Sequence, residues 1–179
     1  MPGVEAVTTD SFDRMSVPTP PTLREPSQRV SPRARLMWGL TAALEGGALL
    51  VALVVAGPVA GWLPVPWWAL VLLALVVAAY VVVVPQWRYR VHRWEVTGTA
   101  VYTQTGWWAR ERRIAPMSRI QTVDHAEGAI ARLFGLATVT VTTASAAGAL
   151  EIAGLERDRA LALVDELTLM ADSDAGDAT

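Results

Sequence analysis

Hydrophobic and polar positions divide the chain into two regimes, helical to about residue 85 and alternating afterwards. Two apolar stretches, 36–60 and 67–84, are separated only by Gly61-Trp62-Leu63-Pro64-Val65-Pro66, which carries no charge. The second runs eighteen residues without a charge, enough at about 1.5 Å per residue to cross a hydrocarbon core of about 30 Å. The pattern predicts a transmembrane helical hairpin over residues 36–85. From Gln86 the period becomes two: Trp87, Tyr89 and Val91 alternate with Arg88, Arg90 and His92, and a slip at Arg93–Trp94 suggests a bulge or a break between strands. Further strands are predicted over 100–105, 107–114, 120–123, 138–142 and 150–152, with a helical turn at 129–134 closed by Gly135. After Gly154, Ala160, Leu163, Val164, Leu167 and Met170 recur on one helical face. The expected architecture is α+β: a membrane hairpin, then an antiparallel β-barrel or sandwich over residues 86–170, capped by a C-terminal helix.

Composition changes the reading at both ends. Residues 1–35 hold six prolines among Ser, Thr and scattered charge, too little apolar surface to offset ordering entropy, so disorder is expected there. The first apolar run begins at Leu36, too late for a secretory signal peptide. Residues 171–179 read as a disordered acidic tail. The 179 residues contain no cysteine, which excludes disulfides, thiolate catalysis and Cys-ligated metals. No lysine occurs either, so every basic residue bar the two histidines is an arginine.

Charge then orients the hairpin. Arg24, Arg29, Arg33 and Arg35 precede the first span, Arg88, Arg90 and Arg93 follow the second, and the loop between has none. The positive-inside rule places both termini in the cytoplasm. Glu45 lies about nine residues into the first span, where a carboxylate costs roughly 2.5–3.5 kcal/mol to insert. It reads either as part of a proton or ligand path or as a hydrogen-bonded member of a helix contact. Ala42, Ala48, Ala52 and Ala56 lie on or near its stripe, and Ala74 and Ala78 offer a matching one in the second span; Glu45, Ala48 and Ala52 are the candidate intramembrane contact.

Chemistry is sparse in the rest. His92 and His125 are the sole histidines, and Asp124-His125 with Glu127 is too compact for a metal site. No phosphate loop, hydrolase order or carboxylate pair occurs, so no enzyme activity, cofactor or metal is expected. The domain is only mildly basic and membrane-tethered, which argues against nucleic acid. The candidate binding residues are Arg110, Arg112 and Arg113, the densest basic cluster, with Arg119. The cluster has a structural reading as a solvated strand face, and Arg119 as a partner of backbone carbonyls or of an acid such as Asp124. Near anionic headgroups each arginine of the cluster would contribute about 1 kcal/mol.

Several segments taken together resemble a known family. They are Trp87-Arg88-Tyr89-Arg90, Gly106-Trp107-Trp108, Pro116-Met117-Ser118-Arg119-Ile120-Gln121-Thr122-Val123, Leu133-Phe134-Gly135-Leu136, Thr142-Thr143-Ala144-Ser145 and Ile152-Ala153-Gly154-Leu155. In this order they resemble the membrane-flanked bacterial pleckstrin-homology-like (PH-like) domains, the YdbS-like group. The resemblance implies a PH-like split barrel on the cytoplasmic face of a bacterial plasma membrane, with no agreed ligand. Two functions follow as expectations: a non-enzymatic tethered module contacting protein partners or anionic lipid, or a subunit of a membrane complex for export or envelope defence, working through its spans. Homo-oligomerisation fits either.

Overall fold

The computed structural model describes residues 25–106, 108–144 and 148–176, with side chains to residue 171. After a short strand β1 (Gln28–Arg29), helix α1 (Ala34–Val54) runs into a π-helical turn (Val55–Val59), and α2 (Trp67–Val91) returns antiparallel to it. Two helices of this length and hydropathy, their apolar windows unburied by the rest of the protein, form the transmembrane hairpin. The helices meet at small residues. A side chain on Gly39 would stand 3.9 Å from Pro85 Cγ, and one on Gly46 would collide with Val77. Backbones approach where side chains are missing.

This contact corrects the expected stripe. Ala48, Ala52, Ala74 and Ala78 are all exposed; of the expected stripe Ala42 is buried, and the close packing runs through Gly39 and Gly46 beside it. Four-residue spacing of small residues was met on two faces of α1, and spacing alone does not choose between them.

The alternating run 87–91 is likewise helix, not strand. Helix α2 continues through Pro85 and releases the chain only at His92, whose backbone is extended. The alternation has a helical use: Arg88 lies 4.5 Å over the Trp38 ring and Arg35 lies 4.8 Å over Tyr89, tying α2 to α1. The apparent slip at Arg93–Trp94 is the helix–strand junction.

Beyond α2 come β2 (Arg93–Val96), β3 (Ala100–Thr105), β4 (Glu111–Pro116), a 3₁₀ turn (Met117–Arg119), β5 (Ile120–Ala126), the short helix α3 (Ala129–Leu133), β6 (Leu136–Thr143), β7 (Leu150–Glu156) and α4 (Arg157–Gly176). They make two antiparallel sheets, β1-β2-β3-β4 and β5-β6-β7. Alternation places Val139 and Val141 inward with no exposed surface, while Thr138, Thr140 and Thr142 are half-buried. Helix α4 closes the sheets through Ala160, Leu163 and Leu167, all fully buried. Gly135 follows α3 at φ +65°, the left-handed cap its position predicts.

Two ends differ from expectation. Residues 25–35, read as part of a disordered segment, are folded: Gln28 pairs with Trp94, Arg29 pairs with Arg93, and Ser31 donates its amide to Gly154 O at 2.9 Å. Residues 1–24 lie outside the described part. At the other end α4 continues to Gly176 instead of stopping at Met170. The core also ignores the boundary at residue 86, because Val30, Ala34 and Trp38 pack in one cluster with Trp94, Leu136, Val139, Ile152 and Leu163.

Candidate functional site

The four candidate arginines stand on β4 or just beyond either end of it, and its strand geometry spreads them. Arg110 precedes β4 in the β3–β4 loop, while Arg119 ends the 3₁₀ turn after its far end. Six strand residues at about 3.3 Å each put roughly 17–20 Å between these ends. Pro116 pairs with Ala100, and Met117 donates its amide to Thr99 O at 2.9 Å, which fixes Arg119 at the end of the sheet remote from α2.

Between them, Arg112 and Arg113 point to opposite faces, as strand parity requires. Arg112 Nε donates to Gln104 Oε1 at 2.9 Å and its Nη2 to Glu25 Oε1 at 3.1 Å. Gln104 in turn donates from Nε2 to Val91 O at 3.1 Å, satisfying a carbonyl at the end of α2. Arg113 bonds Glu111 Oε1 at 2.6 Å and reaches across to Ala149 O at 3.1 Å, bridging from β4 toward the start of β7. Arg110 stands 3.9 Å from Glu25. No hydrogen bond or ion pair to a described residue holds the exposed Arg119 guanidinium.

Arg112, Arg113 and Arg119 nevertheless line one concavity of about 270 Å³, with Ile114, Pro116 and Leu150 as its apolar wall. A surface that combines arginine donors with an apolar floor suits an acidic side chain flanked by hydrophobic ones. Arg110 is not part of it.

A second cleft of similar volume opens between the sheets where α2 ends, lined by Arg88, His92, Thr103, Glu111, Arg113 and Glu151. His92 is buried, lies tilted against Trp38 with ring centroids 5.2 Å apart, and has no partner for Nδ1 among the described residues. Burial, then the Arg88 charge, push its pKa from 6.5 down to about 4, so it is neutral at pH 7. Sequence reasoning passed over this cleft because its members come from α2, β3, β4 and β7. Glu25 was missed too, since 87 residues separate it from Arg112.

Within the hairpin, Glu45 is exposed and borders a crevice with Trp38, Thr41, Tyr80, Pro85 and Arg88. It keeps a place near the helix contact that Ala48 and Ala52 lose. Glu127, beside His125, lies 2.8 Å from Arg157 Nε and is committed to that ion pair.

The family model for the bacterial PH domain matches residues 40–171. Among curated proteins the chain is similar to the UPF0699 transmembrane protein YdbS of Bacillus subtilis (strain 168), 28% identical over 153 residues, covering 82% of this chain and 94% of that protein. No solved structure matches. A transmembrane hairpin leading directly into two antiparallel sheets capped by a helix is the arrangement the earlier resemblance implied. With the family model covering most of the chain, the protein belongs to the bacterial PH domain family.

Proposed function

We propose that this membrane-associated PH-like module is non-enzymatic and stands on the cytoplasmic face, where it docks an acidic segment of a protein partner in the Arg112–Arg113–Arg119 concavity. The observation that carries this reading is a partly apolar hollow lined by three arginines, of which Arg119 has a guanidinium with no partner among the described residues. Arg112 and Arg113 are braced by Gln104, Glu25, Glu111 and Ala149, which holds their donors in place before any partner arrives. The hollow reaches from Arg112 and Arg113 out to Arg119 at the sheet end remote from α2, and that outer end favours a protein over the bilayer surface as its occupant.

A second reading, membership of a membrane complex through the spans, is supported by a different observation. Ala48 and Ala52 leave a small-residue stripe of α1 exposed and unused by α2, where another helix could approach. Co-purification of the full chain from its native membranes in mild detergent separates the two. Loss of bound proteins on Arg119→Glu, with Ala48→Leu unchanged, supports the concavity. The converse supports the spans, and loss with neither overturns both.

A further inference from the structure

The β3–β4 loop returns to the membrane. Strand β2 leaves the end of α2, β3 comes back antiparallel to it with Arg93 opposite Gln104, and Gln104 is bonded to Val91 O. The next residues must therefore lie alongside the last turns of α2. They do: Trp108 shares an apolar hollow of about 380 Å³ with Val83, Val84 and Trp87. Val84 lies seven residues before Val91, about 10 Å back along the helix toward the bilayer. Trp108 is 88% exposed, and Val83 and Trp87 are also exposed. Gly106, at φ +113° and pressed against the Ala109 carbonyl, fixes the tight turn that aims the loop. Arg110 lies two residues after Trp108, with its side chain 58% exposed.

We propose that this loop is seated in the headgroup region of the bilayer, with Trp108 as its anchor, lipid filling the hollow against Val83, Val84 and Trp87, and Arg110 facing phosphate. The occupant is lipid because the hollow is continuous with the lipid-facing surface of a transmembrane helix. A tryptophan with an adjacent arginine is the pair that such a depth favours. This site is separate from the partner concavity and stands without it.

The chain has no cysteine, so single labels can be placed in the full-length protein. Ala109→Cys carries a nitroxide at the loop, and Gly98→Cys carries one at the opposite sheet end, where nothing lies within 4 Å of an added side chain. In liposomes of phosphatidylcholine and phosphatidylglycerol, power saturation should show the label at 109 relaxed more by oxygen than by a water-soluble nickel chelate, and the label at 98 the reverse. Arg110→Cys, labelled separately, should give the same ordering as 109. Adding Trp108→Ser to Ala109→Cys should cut its oxygen-to-nickel ratio severalfold. Nickel access at 109 and 110 equal to that at 98 would overturn the proposal. Protection from both reagents would also overturn it, because protein would then cover the loop; spin–spin broadening would mark that cover as a second copy of the chain.

Discussion

Ala34, the first residue of α1, lies so near Gly154 in β7 that a Cβ added to the glycine would stand 2.8 Å from the Ala34 Cβ. Gly154 has φ +81°, a left-handed backbone that other residues adopt at a cost. The Ala34 side chain of the membrane helix thus rests on the bare backbone of the sheet, with Val30 and Trp38 completing the seam. The β domain is closed partly by the start of the first span.

Gly154→Ala should accordingly destabilise the full chain by about 1–3 kcal/mol, through both strain and collision. Thermal unfolding in detergent measures it. A fragment of residues 86–179 lacks Val30, Ala34 and Trp38 and should show no cooperative transition, whereas residues 25–179 should unfold as the full chain does.

Adjacent glycines in α1 should behave in opposite ways. A side chain on Gly46 meets Val77, whereas one on Gly47 meets nothing within 4 Å. Gly46→Ile should weaken the hairpin by about 1–3 kcal/mol and Gly47→Ile by much less, read as the midpoint of unfolding in a denaturing detergent.

His92 sets a pH dependence. Its folded pKa, about 4, lies below the ordinary 6.5, so between these values the unfolded chain binds a proton that the folded chain does not. Stability from this group is therefore full above pH 6.5, falls as pH drops toward 4, and levels off below it. The loss totals about 3 kcal/mol. His92→Leu should flatten the stability curve over that interval, and an unchanged slope would assign it to other groups.

Gln104 is 2% exposed and joins Val91 O to Arg112. Gln104→Leu removes the partner of the Val91 carbonyl and of Arg112 Nε and should cost about 1–3 kcal/mol. Loosening should be local, so hydrogen exchange at the α2–β3 junction should rise before exchange in β6.

Topology has a direct check. Reporters that act only in the cytoplasm should be silent at Pro64 and active after Gly176, because arginines flank the outer ends of the hairpin and the loop has none. Activity at Pro64 would invert the orientation.

The sequence made the spans and the inner strands legible because each carries a long, regular pattern: eighteen uncharged residues in α2, and Val139 and Val141 between threonines in β6. Patterns of five residues did not suffice. The run 87–91 alternates as a strand would, and only Trp38 and Arg35, supplied by α1, make its helical form profitable. Val30 and Ala34 were hidden for a similar reason, as single apolar residues in a proline-rich stretch whose partners lie in β7. Of the candidate site, parity placed Arg112 and Arg113 on opposite faces, yet the distance between Arg110 and Arg119 depends on where β4 begins and ends. Which alanines or glycines of α1 face α2 depends on helix rotation, which small-residue spacing leaves undetermined.

Helix α2 passes into β2 through His92 alone, and α1 enters the core at its first residue, so no flexible segment separates the described domain from the bilayer. A domain on a loose tether sweeps a hemisphere and averages away the attitude of its anchor. This one is mounted on two posts like a sign on a frame. When bilayer thickness changes the tilt of the hairpin, the domain must lean with it, and Arg119 at its far end travels furthest.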